Sequence, residues 1–238
     1  MPSDCNPPSS SKSSSEPIPP DPAAVAPPEV HFATILDRWS ITARQLTDLV
    51  NDNPSLRGIM LGYVAEHKFH ELVEKHPHIS GSKKHDDHDR SRKSDRVIIY
   101  KGVEFSIEVK SLQTNLIRQV DGRWTGRAQV DASDRREVRL RNGRKLNTTL
   151  LLFGQFDILA VNCFAFENKW NFAFALNRDL PKSTSKKYTQ AKRDQLIASL
   201  VPVTWPPEPP FVSDPFSLVE RLYLERPKPS GGTSASRS

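Results

Sequence analysis

Two carboxylates and an ammonium group stand within the segment SDRVIIYKGVEFSIEVKS, residues 94–111. Asp95 precedes the first apolar run, and Glu108 and Lys110 lie near the end of the second. Carboxylate oxygens are ligands that Mg²⁺ prefers, and an ammonium group can stabilise negative charge that develops on a phosphate. The three residues could form a metal-dependent site, or they could be ordinary solvent-facing residues of an edge hairpin.

The spacing of the segment favours a hairpin with its turn at Lys101-Gly102, because glycine supplies the positive φ that a tight turn needs. Counting outward from that turn places Asp95 opposite Glu108. Directly opposed residues share a face of the sheet, with Cβ atoms roughly 4.5–5.5 Å apart, and Lys110 points to the same face. The residues that alternate with these are apolar and are predicted to face the core: Val103, Phe105, Ile107 and Val109.

Two opposed carboxylates on a sheet repel each other, so their proximity needs a compensating interaction. The ammonium group of Lys110, a raised carboxyl pKa or a bound divalent cation could each provide it. A hard cation such as Mg²⁺ takes few carboxylates and keeps several waters, which suits a site with two acids. A carboxylate pair that is neutralised by Lys110 and has no function remains the alternative, but the convergence of all three groups favours a metal-dependent site.

A third acid, Glu66, lies in the segment SLRGIMLGYVAEHKFHELVEKH, which is predicted to form a helix after a break at Asn53-Pro54. At 100° per residue, Glu66 lies within about 20° of Ile59 and of Val73, on the apolar stripe itself. A carboxylate at such a position is costly unless it has a partner. An edge position with a basic partner is the simple explanation, and a place beside the other acids is the functional one.

Asp95 followed by Glu108-Val109-Lys110 at the end of a strand resembles the PD-(D/E)XK nuclease superfamily, and type II restriction endonucleases in particular. The resemblance extends over the order of elements from about residue 57 to 176, although Ser94 stands where the family pattern has proline. It implies that Asp95 and Glu108 bind Mg²⁺ or Mn²⁺ and that Lys110 positions or activates the attacking water. It also implies that Glu66 joins the metal site, with the Val109 carbonyl as a further ligand.

The balance of charge favours a polyanionic partner, since the net charge is +6 and the pI about 9.4. The basic residues cluster, and two of the clusters are predicted to contact DNA phosphates: Arg135, Arg136, Arg139, Arg141, Arg144 and Lys145 in the first, Lys186 and Lys187 in the second. Gln129 and Asp131 are weaker candidates for substrate contacts. Solvated basic surfaces without a ligand are the alternative interpretation.

The apolar pattern predicts an α/β fold, with a mixed sheet of four to six strands flanked by helices. Residues 1–28 are rich in Pro and Ser and are predicted to be a disordered tail; residues 29–225 are predicted to be one domain and residues 226–238 a second tail. Residues 76–94 carry His76, His78, His85 and His88, and a solvated loop is favoured there over a metal site. The segment SKKYTQAKRDQLIASL is predicted to be a basic helix.

The sequence shows no signal peptide pattern and no apolar run long enough to span a membrane, and its two cysteines, Cys5 and Cys163, form no disulfide framework. We therefore expect a cytoplasmic, Mg²⁺-dependent DNA endonuclease, for which a homodimer would be the natural way to cut both strands. The alternatives are a non-catalytic DNA-binding module on a nuclease-like scaffold, a nuclease for repair, resolution or RNA, and an interaction protein that recruits partners through its Pro-rich ends.

Overall fold

The computed structural model describes residues 34–84 and 94–226. The described residues fall into two units, residues 34–49 and the residues from 50 onward. The two predicted tails lie outside the described residues, apart from Arg226, and so remain predictions. None of the described helices is long and apolar enough to cross a membrane.

In the described part of the chain, three helices are followed by a long run of strands, and shorter helices stand among and after the last strands. The helices are α1 (Ile35–Trp39), α2 (Ala43–Asp52), α3 (Pro54–Glu74), α4 (Phe164–Glu167), α5 (Gln190–Arg193) and α6 (Pro215–Glu225). The strands are β1 (Ile79–Lys84), β2 (Arg96–Tyr100), β3 (Val103–Ser111), β4 (Arg118–Val120), β5 (Arg123–Gln129), β6 (Asp131–Arg139), β7 (Lys145–Leu150), β8 (Ile158–Asn162), β9 (Phe172–Leu176) and β10 (Leu200–Trp205).

The largest sheet in the described part of the chain has five strands in the order β1-β2-β3-β8-β9. β1, β2 and β3 are antiparallel neighbours, β3 and β8 run parallel, and β9 is antiparallel to β8. The prediction of a mixed α/β fold is therefore confirmed. β3 is the central strand of this order: its first half pairs with β2, and its second half, which carries Glu108 and Lys110, pairs with β8.

The hairpin between β2 and β3 has the predicted register. Lys101 and Gly102 form the turn with φ angles of 48° and 78°, and the φ of Gly102 costs no strain because glycine has no Cβ. Tyr100 pairs with Val103, and four further pairs follow to Arg96 and Ile107. The pairing ends there, because Asp95 lies in a bend before β2 and reaches β3 through its side chain.

The two faces of the sheet carry separate apolar clusters. α3 and α6 cover one face, where Phe69 of α3 packs against Phe172 and Phe174 with ring centroids 6.1 Å apart in both cases. Phe105, Ile107 and Val109 belong to this cluster, as the alternation along β3 predicts. The opposite face, on which Leu159 and Val161 of β8 lie, packs against β5, β10 and the chain that follows β3.

β10, for which the sequence predicts no element, pairs with β5 at the edge of a three-stranded sheet. Three details of the predicted secondary structure were wrong. Residues 79–84 form β1 rather than part of a loop, and the basic helix shrinks to the four residues of α5. On α3 the buried side chains are Ala65, Phe69 and Val73, whereas Ile59 and Tyr63 are 60% and 50% exposed.

β6 and β7 form a two-stranded ribbon of their own. Its register pairs Arg139 with Lys145 and Glu137 with Asn147, with an irregularity between Asp131 and Arg136. The inner side of the ribbon packs on a third apolar cluster that includes Val138, Leu140, Leu150, Leu152, Tyr188 and Leu196. Most of the basic stretch predicted from the sequence therefore lies on a hairpin that is anchored to the rest of the protein.

Candidate active site

Glu108 is a buried carboxyl group on the central strand of the sheet. Its side chain is only 7% exposed, and it lies on the face that carries Leu159 of the neighbouring strand. Burial, together with the negative charge of Asp95, raises the pKa of Glu108 to about 7. The interpretation of Glu108 as an ordinary solvent-facing residue was wrong, because a solvated carboxyl would not be perturbed in this way.

Lys110 accompanies Glu108 on the same face, with Nζ 2.7 Å from Oε1 of Glu108. Burial alone would lower the pKa of Lys110, but the charges of Glu108 and Asp95 outweigh burial and raise it. The lysine is thus a permanent cation beside a carboxyl group that is half ionised near neutral pH.

Asp95 is held in place through the backbone of the central strand. Its Oδ2 accepts a hydrogen bond of 2.7 Å from the N–H of Val109. Because the N–H and C=O of one strand residue point to the same side, the Val109 carbonyl is directed toward Asp95 as well. The carboxyl groups of Asp95 and Glu108 and the Val109 carbonyl therefore lie beside the part of β3 that extends beyond its pairing with β2.

This donor set fits Mg²⁺ in one of the ways in which proteins bind it. Within residues 34–84 and 94–226, no three His, Cys, Asp or Glu side chains are arranged to hold a metal ion by themselves. Mg²⁺ is commonly bound through one or two carboxylates together with waters and substrate phosphates. Asp95, Glu108 and the Val109 carbonyl could contribute such a partial shell, and a cation there would offset the repulsion between the acids.

Glu66 approaches the site from the other side of the sheet. α3 packs on the face of Phe105 and Ile107, whereas Glu108 belongs to the opposite face. The Glu66 side chain is 16% exposed and forms an ion pair of 3.2 Å with Lys84. Burial raises the pKa of Glu66, and the charge of Asp95 adds to the effect. Glu66 therefore lies close enough to Asp95 for their charges to interact. It also has a basic partner, as expected for a carboxylate at the edge of the apolar stripe. Its role as a metal ligand remains a prediction.

Three more charged residues influence the site. Arg136, from β6, lies close enough to Glu108 to lower its pKa, and Asp131 similarly raises the pKa of Lys110. The sequence suggested both residues as substrate contacts without indicating that they approach the hairpin. Arg96 was missed: it is 8% exposed, and burial lowers its pKa while Glu66 and Asp95 oppose the shift. Its position directly after Asp95 could have signalled a neighbour of the acids.

Two buried guanidinium nitrogens lack hydrogen-bond partners among the described residues, Nε of Arg96 and Nε of Arg136. The terminal nitrogen of Arg136 lies 3.5 Å from Oε1 of Gln155, which is a weak hydrogen bond. A buried donor without a partner costs free energy, and an oxygen-rich ligand would satisfy it. Arg136 is thus distinguished from the other basic residues of its stretch.

The remaining predicted DNA-contacting residues are mostly exposed. The exposed residues are Arg135, Arg139, Arg141, Arg144, Lys145, Lys186 and Lys187. Gln129 is exposed and accepts a hydrogen bond from Gln113. Lys187 and Asp131 both line a cleft of about 500 Å³, together with Arg127 and several hydroxyl side chains. The cleft is thus lined both by Asp131, whose charge acts on Lys110, and by Lys187 of the second basic cluster.

The two described histidines of the predicted loop pack against aromatic rings. His76 stacks on Phe216 with a ring distance of 3.7 Å, and His78 packs edge-on against Tyr100. His85 and His88 lie outside the described residues. The first pair thus serves the packing of α6 on the sheet.

No family model matches the chain, and no curated protein matches it. Among solved structures, the bacterial homing endonuclease I-Ssp6803I is 14% identical, with a match that covers 60% of this chain and 87% of that one. The TM-score is 0.31. A TM-score of this size shows neither a shared fold nor a shared function.

Proposed function

We propose that the chain is a metal-dependent DNA endonuclease that hydrolyses a phosphodiester bond at Asp95, Glu108 and Lys110. The observation that carries the proposal is the buried carboxyl group of Glu108 on the central strand. It lies 2.7 Å from Nζ of Lys110 and is repelled by the negative charge of Asp95. Such an arrangement is costly for the fold, and perturbed acids of this kind are concentrated at functional sites. The resemblance of the Asp95, Glu108 and Lys110 pattern to the PD-(D/E)XK nucleases supports the same chemistry.

The metal in this proposal is Mg²⁺ or Mn²⁺. When bound, it would polarise the scissile phosphate and lower the pKa of the attacking water. Asp95, Glu108 and the Val109 carbonyl would hold it, and Glu66 would support its water shell. Cation binding would also favour the ionised form of Glu108, whose pKa is about 7 in the protein alone.

The residues of the chain supply orientation and charge. Lys110 would orient the attacking water and stabilise the negative charge that builds on the phosphorus centre. The backbone hydrogen bond from Val109 fixes one oxygen of Asp95 and so limits the rotation of its carboxylate. Arg136, with its buried Nε lacking a partner among the described residues, would bind an oxygen of the scissile phosphate.

DNA binding would rest on the exposed basic residues around this site. The ribbon formed by β6 and β7 carries most of the first cluster, and Lys187 lines the cleft that Asp131 also lines. Contacts of lysine and arginine with phosphates release counterions, so binding should weaken steeply as salt is raised.

The test is cleavage of a supercoiled plasmid by the purified full chain with Mg²⁺, Mn²⁺ or no divalent metal. Wild type should cut only with metal, and Glu108→Ala and Lys110→Ala should each lose about 10²-fold or more in rate. Glu104→Gln is a matched control, because Glu104 is on the same strand but its side chain is 64% exposed. Equal cutting by all four proteins, or none by wild type under any of the metals, would refute the enzyme and leave a non-catalytic DNA-binding module.

A further inference from the structure

The ribbon has two chemically distinct faces. Register and alternation place four side chains together on the outer face: Glu137, Arg139, Lys145 and Asn147. All four residues are exposed. The inner face carries Arg136, which acts on Glu108, and Val138 and Thr148, which are buried. The outer face therefore points away from the cluster that holds the ribbon.

The outer face is presented on a firmly held support. Thr148 and Tyr188 form a buried hydrogen bond of 2.8 Å, and the N–H of Arg141 donates to Gln195 at 2.7 Å. Val138 and Leu140 are 6% and 3% exposed in the cluster beneath. Side chains on such a support lose less freedom when they bind a ligand than side chains on a mobile arm.

The composition of the outer face does not suit a surface that binds phosphates alone. Glu137 is one of its four residues, and its carboxylate, which lies 2.8 Å from Nζ of Lys145, would repel phosphate groups. Base edges in the major groove of DNA, in contrast, require a mixture: arginine or lysine for guanine, asparagine for adenine and a carboxylate for the amino group of cytosine. The outer face of the ribbon offers each of these groups.

The size of the ribbon also suits this groove. The major groove of B-form DNA is about 12 Å wide and admits a two-stranded β-ribbon, whereas the minor groove is about half as wide. Arg141 and Arg144 lie at the tip, beyond the paired strands, where they would reach the phosphates that border the groove. The charge of the ribbon is thus complementary to DNA as a whole, and its face is complementary to base edges.

We infer that the outer face of the ribbon, formed by Glu137, Arg139, Lys145 and Asn147, enters the major groove of duplex DNA and determines sequence preference. This inference rests on the proposed function only for its substrate class, DNA. The inner face places Arg136 near Glu108, so the strand that would read base edges also contributes a group to the site. Sequence readout and hydrolysis would then be coupled through a single strand.

The experiment is a binding selection from a library of duplexes with a randomised central segment, using the full chain with Ca²⁺ in place of Mg²⁺. Wild type should enrich a sequence motif. Asn147→Ala and Arg139→Ala should each lose roughly 5- to 150-fold of discrimination at one or two base pairs. Replacing guanine by 7-deazaguanine, which removes the N7 acceptor from the major groove alone, should weaken binding of the enriched duplex by wild type and have less effect on Arg139→Ala.

Two control variants separate base contacts from charge. Arg144→Ala should reduce the slope of log affinity against log salt by about 0.9 while the motif stays unchanged. Lys169→Ala removes a lysine that is 70% exposed and lies outside the ribbon, and it should change neither quantity.

A motif that survives unchanged in Asn147→Ala and Arg139→Ala would overturn the inference, as would wild-type binding without any motif or no binding at all. Insensitivity of the enriched duplex to 7-deazaguanine would also overturn it. Cleavage is measured separately. If ribbon variants lose the motif but wild type does not cut, the proposed enzyme is contradicted and the inference about the ribbon stands. If cutting depends on Glu108 but ribbon variants keep the motif, the inference about the ribbon is contradicted and the proposed enzyme stands.

Discussion

Two glutamate–lysine pairs of almost equal length have different surroundings in this protein. Nζ of Lys110 lies 2.7 Å from Glu108, and Nζ of Lys145 lies 2.8 Å from Glu137. The first glutamate side chain is 7% exposed and the second 58%. Burial and the neighbouring Asp95 raise the pKa of Glu108 to about 7 despite its lysine. A short ion pair alone therefore does not indicate a functional site, whereas the cost of burying its charges favours one.

The two ion pairs also differ in how they could interact with a ligand. Water screens the exposed pair, so Glu137 and Lys145 remain available to exchange partners with a ligand at little cost. The buried pair is destabilised in its charged state, and a cation or phosphate could relieve that destabilisation. We therefore expect substitutions of the buried pair to change the response to pH and metal, and substitutions of the exposed pair to change DNA contacts alone.

The largest expected effect on stability is a pH dependence caused by Glu108. Since its pKa is raised from 4.5 to about 7 on folding, the folded state holds the proton more tightly than the unfolded state. The free energy of unfolding should therefore fall as pH rises through this range, by up to about 3 kcal/mol. Glu108→Gln should lack this fall in metal-free urea titrations between pH 4 and 8.

Glu137→Gln is the matched control for that experiment, because Glu137 also lies beside a lysine. Its unfolding curves should follow those of wild type at every pH. A fall in stability of equal size in wild type and Glu108→Gln would assign the pH dependence to other groups and remove the distinction between the two pairs.

The next effect is stabilisation by Mg²⁺. A cation bound at Asp95 and Glu108 only in the folded state should add about 1.4 kcal/mol to the free energy of unfolding at ten times its dissociation constant. Asp95→Asn should abolish the increase, and Glu137→Gln should preserve it. Thermal unfolding at pH 8 with and without Mg²⁺ measures it, and an undiminished increase in Asp95→Asn would place the cation elsewhere.

The turns of the two hairpins offer a smaller comparison. Gly102 and Gly143 have φ angles of 78° and 77°, and a Cβ at either position would have no neighbour within 4 Å. Gly102→Ala and Gly143→Ala should therefore each cost about 1 kcal/mol from backbone strain alone. Urea unfolding of the two variants should give similar losses, and a difference above about 1 kcal/mol would mean that one turn makes further interactions.

The smallest expected effect is the coupling energy of the exposed pair. A double-mutant cycle of Glu137→Gln and Lys145→Ala should give about 0.2–1 kcal/mol, decreasing in high salt. The corresponding cycle for Glu108 and Lys110 should exceed it at pH 8, where both groups are charged and poorly solvated. Equal coupling in the two cycles would contradict the role assigned to burial.

Local rules predicted the hairpin well. The Lys101-Gly102 turn and the alternation of apolar residues determine the register, and the sheet around them left it unchanged. The central position of β3, which buries Glu108, depends on the parallel partner β8, some 50 residues away in the chain. No local pattern contains that information, so the burial and the raised pKa could not be predicted from the segment itself.

Tertiary contacts explain the elements that were predicted wrongly. The predicted basic helix is interrupted because Leu196 and Ile197 are drawn into bridges with Leu152 and Lys182 and are fully buried there. β10 escaped prediction because Pro202 argues against a strand, yet an edge strand tolerates proline. Similarly, Arg136 and Asp131 come close enough to act on Glu108 and Lys110 only in the folded chain, and no local pattern indicates this.

The most direct test of the central claim is the single-turnover rate of plasmid cleavage across a series of Mg²⁺ concentrations for wild type, Glu108→Gln and Glu104→Gln, since Glu104 is an exposed glutamate on the same strand. We predict that the wild-type rate rises with Mg²⁺ to a plateau, that Glu104→Gln retains this Mg²⁺ dependence, and that Glu108→Gln stays about 10²-fold or more below both. A Glu108→Gln rate that rises with Mg²⁺ to the wild-type plateau would contradict the assignment of the buried pair as the site of hydrolysis.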